Sequence, residues 1–401
     1  MRSVKIFNDP VYGFITVPKG ILLDLIDHPV FQRLQRIRQL GFSYYVYPGA
    51  VHSRFNHALG AYHLMGQALN NLKLKGISIS EEEQLAAEIA ILLHDIGHGP
   101  FSHVLEHTLV PVHHEHMTEI LMDHLNNEFN GQLRLSIEMF HNRYPRKFFN
   151  QLISSQLDVD RLDYLNRDSF FTGVAEGVIG YDRLIKMMDV VDEKLVLEEK
   201  ALYSIEKFLM SRRIMYWQVY MHKTSLVAES MLTSLLSRFK ANIDMNIPSP
   251  SLLYFLQMKE LSTEVALTAE LVENFINIDD TDIWQLIKSL SNSKDPIINY
   301  LSNGLIKRKL LKIIKQANPF DPNLLELKQK ACAEKFSISQ DDTNYLVTER
   351  KIEMNTYQED EDEILIQKKD QRLVPLSQIL DMPPIIFQET KYFIILPGEL
   401  R

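Results

Sequence analysis

Apolar residues recur at helical spacing through most of the chain. Leu85, Ala86, Ile89, Leu92 and Leu93 fall on one face of a helix, and the same period returns in residues 226–236. Glycines are sparse between residues 21 and 330 and mostly lie between the apolar segments. This pattern predicts a mainly α-helical bundle over residues 21–330.

The two ends of the chain have a different pattern. Residues 1–20 are punctuated by Pro10, Gly13 and Pro18, which predicts short N-terminal strands or a hairpin. Residues 331–401 mix helical and alternating stretches, with strands expected at residues 345–347 and 392–396. We therefore expect a small mixed α+β C-terminal lobe beside the helical body.

Composition narrows the class of protein. Apolar residues make up 45% and charged residues 24%, which is ordinary for a globular protein. No apolar run approaches the roughly 18 residues that a membrane span needs, the N-terminus lacks the apolar region of a signal peptide, and Cys332 has no second cysteine to pair with. These features favour a cytoplasmic protein that does not span a membrane. The net charge of −9 disfavours nucleic-acid binding but allows a local basic pocket for an anionic small molecule.

Histidines are concentrated in one part of the chain. Of fourteen, twelve lie from His28 to His124. An apolar helix ends abruptly at His94, Asp95 and His98 and then breaks at Gly99-Pro100. Three ionisable groups at the end of a buried helix need a partner, and a metal ion is the simplest one.

Two further segments could complete a metal site. His57 begins another apolar helix, and Asp160, Tyr164 and Asp168 form a stripe at spacing i, i+4, i+8. By spacing alone the stripe could equally be a charged, solvent-exposed helix face.

The motif His57…His94-Asp95…Asp160 resembles the H…HD…D signature of the HD-domain phosphohydrolases. The likeness extends to one branch, the dNTP triphosphohydrolases, which include the catalytic domain of the SAM-and-HD protein. The stretches that carry it are Gln39-Leu40-Gly41, Tyr44-Tyr45-Val46-Tyr47-Pro48-Gly49-Ala50, Arg54-Phe55-Asn56-His57, residues 94–103, His114-Glu115, Asp160-Arg161-Leu162-Asp163-Tyr164 and Tyr220-Met221-His222-Lys223. The resemblance runs from Lys5 to about Phe320, and this chain has no SAM domain.

The resemblance implies one divalent metal ion per active site. Its ligands would be His57, His94, Asp95 and Asp160. Two imidazoles and two carboxylates suit Fe, Mn, Co, Ni or Zn, and Mg could accompany the substrate phosphates. The family reaction is hydrolysis at the α-phosphorus, which yields a deoxynucleoside and inorganic triphosphate.

The resemblance also assigns acid–base and phosphate-binding roles. The expected catalytic residues are His98, His103, His114, Glu106 and Glu115. Glu106 would orient His114, although the best-known family member has Asp at that position. The alternative for His113, His114 and His116 is a polar surface cluster.

Substrate contacts follow from the same resemblance. The triphosphate would meet Arg54, Arg161 and Arg212, and the nucleoside would meet Gln39, Leu40, Tyr164, Asp168, Tyr216 and Tyr220. Gln39 and Asp168 would hold the 3′-hydroxyl, whereas Leu40 and Tyr220 would exclude ribose. Arg161 replaces a family Lys. Tyr216 and Tyr220 could instead be core residues. No base-reading residue stands out, so broad base tolerance is expected.

The N-terminal region resembles the stretch that binds an activating guanine nucleotide between subunits in the SAM-and-HD branch. Lys5 would meet phosphate, while Asp27 and Gln32 would meet the base. Gln35 replaces a family Arg that helps to read guanine O6, which weakens this expectation. The residues could instead pack a hairpin and a subunit interface. A homo-oligomer, dimer or tetramer, is expected in either case.

Three functions remain open at this point. The first is a dNTP triphosphohydrolase. The second is an HD hydrolase of another nucleotide, such as a monophosphate, a cyclic nucleotide or an alarmone. The third is a non-enzymatic nucleotide- or nucleic-acid-binding scaffold, which the intact set of ligand residues disfavours.

Overall fold

The structure is a computed structural model. It describes residues 4–106, 108–110, 112–241, 243, 247, 249–258, 268–358, 363–380 and 388–400. Statements about the fold refer to these residues.

The chain begins with a hairpin. Strand β1 (Val4–Asp9) pairs antiparallel with β2 (Gly13–Pro18), and Phe7 lies opposite Ile15. Gly13 adopts a φ of 79°, a left-handed conformation that glycine tolerates without strain. The predicted N-terminal strands are confirmed.

Helices dominate the next part of the chain. In order they are α1 (Ile21–Asp27), α2 (Pro29–Gln32), α3 (Arg54–Leu74), α4 (Glu81–Leu93), α5 (Ser102–Leu105), α6 (His114–Glu128), α7 (Arg134–Phe140), α8 (Phe148–Ile153), α9 (Val159–Thr172) and α10 (Tyr181–Met187). Short 3₁₀ turns at Arg33–Arg36 and Gly41–Tyr45 connect α2 to α3.

The remaining elements are mixed. They are β3 (Met188–Val191), β4 (Lys194–Glu198), α11 (Leu202–Met215), α12 (Lys223–Ala241), α13 (Pro250–Gln257), α14 (Ala269–Ile276), α15 (Asp280–Leu290), α16 (Pro296–Ile306), β5 (Lys312–Gln316), α17 (Pro322–Phe336), β6 (Thr348–Asn355), β7 (Leu365–Gln367), β8 (Leu373–Pro375) and β9 (Gln388–Leu396). Residues Tyr216–Tyr220 form a π-helical turn directly after α11.

The C-terminal strands join strands that lie within residues 21–330. One sheet has the order β3-β4-β7-β8 and another has β5-β9-β6. The sequence pattern did not indicate β3, β4 or β5, because each is short and lies between strongly periodic helices. The division at residue 330 stays a prediction, and strand pairing crosses it.

One of the two predicted C-terminal strands is displaced. Residues 392–396 lie in β9, as expected. Tyr345 instead ends a 3₁₀ segment, and β6 begins at Thr348. Leu346 and Val347 are both buried, each at 1% exposure, so they do not alternate between two faces as strand residues would.

Helix α3 lies between two hydrophobic cores. Phe55, Ala58 and Leu59 pack into one core with the N-terminal elements and α12, whereas Leu64 and Met65 pack into a second core with α4, α9 and α11. The predicted fold class, a mainly α HD-type bundle with N-terminal strands and a small mixed C-terminal region, is confirmed. Among the described helices, none combines the length and the apolar content that crossing a bilayer requires.

Candidate active site

The first turn of α3 holds two of the predicted site residues. Ser53 and Asn56 form a capping box that fixes where the helix begins, and the Asn56 side chain accepts a hydrogen bond from the Ser53 backbone N–H at 3.0 Å. Arg54 and His57 therefore project from a well-defined helix start, and both are buried.

The end of α4 supplies the next pair. Its last residues are buried without interruption up to Leu93, and His94 is the C-terminal cap. Asp95 follows and accepts a hydrogen bond from Arg54 Nη1 at 2.6 Å. The close approach of the next segment requires Gly97, because a side chain there would collide with the backbone of His114 and Thr118.

Helix α9 brings the fourth residue. Asp158 caps its N-terminus by accepting a hydrogen bond from Arg161 N at 2.7 Å, which positions Asp160 on the first turn. Helices α3 and α9 approach closely at Gly60, where any side chain would collide with Asp163 and Arg167.

These elements assemble what we call the His/Asp cluster, which consists of His57, His94, Asp95 and Asp160. His57 Nε2 lies 3.4 Å from His94 Nε2 and 3.0 Å from Asp160 Oδ1. His94 Nε2 lies 3.4 Å from both Asp160 Oδ1 and Asp95 Oδ1, and His57 Nε2 lies 3.8 Å from Asp95 Oδ2. His57, His94 and Asp160 thus converge on one small volume, and Asp95 borders it with a different oxygen toward each imidazole.

The opposite nitrogens of both imidazoles are held by other groups. His57 Nδ1 lies 2.7 Å from Asp163 Oδ2, and His94 Nδ1 lies 2.6 Å from the Ile91 carbonyl. An Nδ1–H that donates to these acceptors leaves the Nε2 lone pair directed at the cluster. The tautomer that a metal ligand needs is therefore the one that the surroundings favour.

Asp163 is itself tightly held. Arg167 donates to it from Nε at 2.9 Å and from Nη2 at 3.0 Å, and Arg167 Nη1 donates to Asp9 at 2.7 Å. All three side chains are almost fully buried. A continuous chain of charged contacts thus runs from the end of β1 to the His57 ring.

The cluster strongly attracts positive charge. Burial by itself would lower the pKa of His57, but hydrogen bonds with Asp160 and Asp163 raise it to about 10. The same contacts outweigh burial at Asp160 and hold the pKa of its carboxyl well below the usual range. A proton and a metal ion would compete for this position.

A second pair of histidines lies next to the cluster. The rings of His98 and His114 stack with centroids 4.0 Å apart, and His98 Nε2 lies 3.2 Å from Asp95 Oδ1. Ser102 Oγ forms a hydrogen bond with His98 Nδ1. Glu106 accepts from the His114 backbone N–H at 2.6 Å and lies 2.7 Å from His114 Nδ1, so it fixes both the helix start and the ring.

A cavity of about 560 Å³ opens beside these groups. Predicted residues that line it are Gln39, Leu40, Arg54, His57, Asp95, His98, His114, Asp160, Arg161, Tyr164, Asp168, Tyr216 and Tyr220. This volume lies within the roughly 300–1,000 Å³ typical of pockets for drug-sized ligands. The structure therefore brings most of the predicted catalytic and substrate-binding residues to one space.

One side of the cavity carries a buried polar group of three side chains. Asp168 lies 2.7 Å from His52 Nε2 and accepts a hydrogen bond from Tyr220 at 2.9 Å. The Gln39 side-chain oxygen is buried and has no hydrogen-bond partner among the described residues. A buried acceptor of this kind needs a donor from elsewhere, and a ligand hydroxyl would supply one.

Some predicted residues do not line the cavity. The Glu115 side chain is 73% exposed, and Arg212 Nη1 donates to the Thr356 carbonyl at 2.9 Å. The His103 side chain lies outside the described residues.

The predicted regulatory residues form a separate surface group. Lys5 Nζ lies 3.1 Å from Asp27 Oδ1, with both side chains largely exposed. Gln32 donates to the Ile26 carbonyl at 2.7 Å and accepts from Gln35 at 2.7 Å. These residues are close together in space, and none of them lines the cavity.

Sequence reasoning missed several supporting residues. Arg167 and Asp9 were not singled out, although the i, i+4 pair Asp163–Arg167 was a readable signal. Asp280 accepts from the backbone N–H groups of Arg38 at 3.0 Å and Phe101 at 3.1 Å, and no local pattern indicates a contact so distant in sequence.

Comparison with known proteins identifies the family. Residues 54–168 match the HD domain and residues 179–251 match the HD associated region. A crystal structure of a phosphohydrolase from Bacteroides thetaiotaomicron is 45% identical in sequence, covers 98% of this chain and 100% of that one, and gives a TM-score of 0.93. The chain belongs to the HD-domain phosphohydrolase family.

Curated relatives of this HD-domain protein agree with the resemblance found in the sequence. YwfO of Bacillus subtilis, an uncharacterized protein, is 32% identical over 334 residues, which are 80% of this chain and 74% of YwfO. The deoxynucleoside triphosphate triphosphohydrolase SAMHD1 homolog of Dictyostelium discoideum is 30% identical over 337 residues, 79% of this chain and 59% of that protein. The predicted membership of the HD-domain phosphohydrolases is confirmed.

Proposed function

We propose that this chain is a metal-dependent dNTP triphosphohydrolase that releases a deoxynucleoside and inorganic triphosphate. The observation that carries the proposal is the His/Asp cluster, whose imidazoles turn Nε2 toward two carboxylates at the edge of a nucleotide-sized cavity. Relatives named as dNTP triphosphohydrolases supply the substrate class.

The donor set fits a transition-metal ion. Atoms bound at roughly 2.0–2.2 Å to one ion lie roughly 3.0–3.5 Å from one another in octahedral or tetrahedral arrangements. The three distances among His57 Nε2, His94 Nε2 and Asp160 Oδ1, between 3.0 and 3.4 Å, fall in that range. Asp95 Oδ1 also lies 3.4 Å from His94 Nε2, whereas Asp95 Oδ2 lies 3.8 Å from His57 Nε2. His57, His94, Asp95 and Asp160 would hold the ion, with Fe, Mn, Co, Ni and Zn as candidates. Such an ion would draw electron density from a phosphate oxygen and so ease cleavage.

The chain's own residues supply the other parts of the chemistry. Arg54 and Arg161 line the cavity and provide positive charge for a triphosphate, with Arg54 also holding Asp95 in place. The stacked rings of His98 and His114 lie between the cluster and Glu106, where a proton can be moved to or from a reacting phosphate oxygen. Glu106 would orient His114 for that role.

The sugar would bind against Gln39, Asp168 and Tyr220. Although His52 and Tyr220 already contact Asp168, each of its carboxylate oxygens has a second lone pair for a 3′-hydroxyl. Leu40 and Tyr220 form the adjoining wall, where a 2′-hydroxyl would lack space and a hydrogen-bond partner.

Product analysis tests the proposal. The purified protein would be incubated with each dNTP and each NTP across a panel of divalent ions, and the products would be separated by ion-exchange chromatography. We expect deoxynucleoside and triphosphate from dNTPs, with little turnover of NTPs. Release of pyrophosphate, equal turnover of NTPs, or turnover restricted to monophosphates, cyclic nucleotides or alarmones would instead support another HD hydrolase activity.

The surface group of Lys5, Asp27 and Gln32 motivates a second, separate proposal. If a guanine nucleotide bound there between subunits, Lys5 would contact its phosphate, and Asp27 and Gln32 would contact its base. We expect dTTP hydrolysis to change when dGTP or GTP is added, together with assembly in sedimentation measurements. A monomer with an unchanged rate would contradict this effector site while leaving the active-site proposal intact.

A further inference from the structure

Part of the cavity wall has no role in the chemistry above. It is formed by Arg38, Ser43, Val104 and Glu229. Arg38 lies between the two 3₁₀ segments that precede α3, Ser43 lies on the second of them, Val104 on α5 and Glu229 on α12. We call Arg38 and Glu229, together with Gln39, the nucleoside end of the cavity.

Contacts along α12 fix the position of Glu229. One turn before it, Ser225 Oγ lies 3.4 Å from Ser43 Oγ, and one turn after it, Thr233 Oγ1 donates to the Val104 carbonyl at 3.4 Å. Residues four apart share a face of a helix, so Glu229 lies on the face between these two contacts. Ser43 and Val104 both line the cavity, which locates Glu229 on the wall between them.

The surroundings of Glu229 offer little compensation for its charge. Burial raises the pKa of the Glu229 carboxyl to about 7, and Arg350 acts in the opposite direction. A buried carboxylate is costly unless donors reach it, and groups with shifted pKa values in clefts mark functional positions. Hydrogen-bond donors on a ligand in the cavity would stabilise the ionised form.

Arg38 is the complementary group. Its guanidinium lies over the Tyr44 ring, 4.2 Å from the centroid, which limits its freedom. Its Nη1 atom is buried and meets no acceptor within the described part of the chain. The guanidinium has only donors, so a ligand acceptor would satisfy it.

We propose that Arg38 and Glu229 read the nucleobase and favour guanine among the dNTPs. Guanine carries an acceptor at O6, which matches the Arg38 Nη1 donor, and donors at N1 and N2, which match a carboxylate. Adenine lacks the O6 acceptor and the N1 donor, and thymine has a single ring donor. This inference rests on the proposed dNTP substrate. In place of the broad base tolerance expected from the sequence, it predicts a preference for dGTP.

Substrate analogues test the proposal without any mutation. Deoxyinosine triphosphate lacks only the 2-amino group of dGTP, so its kcat/KM should be roughly 10-fold lower than that of dGTP if Glu229 accepts from N2, since hydrogen bonds to charged groups are worth about that much. Equal kcat/KM values for dGTP and deoxyinosine triphosphate in the wild-type enzyme would overturn the role of Glu229.

Variants then assign the effect to these residues. Glu229→Gln should lower the ratio of kcat/KM for dGTP over dATP by roughly 10-fold and reduce the preference for dGTP over deoxyinosine triphosphate, because a neutral amide oxygen accepts a weaker hydrogen bond than a carboxylate. Arg38→Met should lower the dGTP/dATP ratio but keep the discrimination between dGTP and deoxyinosine triphosphate. Glu326→Gln, on the exposed face of α17, is the matched control. Thermal unfolding of each variant checks that it is folded, and Glu229→Asp provides a second test should the amide variant not fold.

The outcomes separate this inference from the proposed function. Triphosphate release from all dNTPs with unchanged base ratios in the variants would overturn the guanine preference alone. A loss confined to dATP would also overturn it, because it would assign Glu229 to adenine. If no dNTP yields triphosphate in the wild-type enzyme, the proposed function fails, and the base preference fails with it.

Discussion

At the His/Asp cluster, each imidazole is held by a second partner behind it, whereas polar atoms at the nucleoside end of the same cavity lack partners within the described residues. Asp163 and the Ile91 carbonyl hold the rings of His57 and His94. Gln39 Oε1 is buried without a donor, and Arg38 Nη1 is buried without an acceptor, among the residues that the structure describes. We infer that the His/Asp cluster is organised before substrate arrives, whereas the nucleoside end of the cavity is completed by the substrate.

The largest effect is expected from removing a proposed ligand of the His/Asp cluster. Asp95→Ala should abolish both bound metal and turnover, since Asp95 contacts His94, His98 and Arg54 and would be a direct ligand. Elemental analysis and product release would be measured beside Asp24→Ala, an exposed control on α1. Retention of stoichiometric metal in Asp95→Ala would remove that residue from the ligand set.

The stacked histidines should affect rate without affecting metal. His98→Ala or His114→Ala is expected to lose roughly 10²–10⁴-fold in kcat, the usual worth of a positioned acid or base. Metal content measured on the same samples should stay at the wild-type level. Near-wild-type turnover in both variants would exclude the pair from catalysis.

Supporting residues behind the cluster should have an intermediate effect. Asp163→Asn keeps the shape but removes the charge that Arg167 and His57 share, so metal affinity should fall roughly 10–100-fold. A chelator competition titration would measure it, with the exposed Asp182→Asn as control. An unchanged affinity would mean that the Asp9–Arg167–Asp163 chain only stabilises the fold.

At the nucleoside end of the cavity, loss of a polar side chain should weaken substrate binding without lowering the stability of the fold. Gln39→Leu removes a buried acceptor that has no partner in the described part of the chain, so the melting temperature should be unchanged or higher. KM for dNTPs should rise roughly 5-fold through one lost hydrogen bond. A clear loss of stability in this variant would show that Gln39 already has a partner in the free enzyme.

The smallest effect concerns pH. Burial raises the pKa of Glu229 to about 7 from an ordinary 4.5, so between these values the folded protein keeps a proton that the unfolded chain has released. The free energy of unfolding should therefore decline as the pH rises from about 4.5 to about 7. Glu229→Gln should remove this part of the decline. Urea unfolding of both proteins across that range would measure it, and parallel curves would contradict the raised pKa.

The helical body and the His/Asp cluster could be predicted because their signals are local. Helical periodicity predicted α4 and α12. The adjacent residues His94 and Asp95, at the end of a buried helix, indicated a pair of metal ligands. The N-terminal hairpin and β9 could also be predicted, but the pairing within the two larger sheets could not. There β4 pairs with β7 and β5 with β9, and short strands gain their stability from distant partners. Asp9 and Asp280 were missed for the same reason, because each acts on residues far away in sequence.

The pairing of β5 with β9 has a consequence for how the protein is made. Strand β5 is synthesised well before β9, which lies between it and β6 in the finished sheet. While the chain is still emerging from the ribosome, β5 and β4 therefore present open edges that only later residues can cover. Such non-local pairing slows folding, so this sheet cannot be completed until β9 has been synthesised, and chaperones would have their longest opportunity to bind before that point.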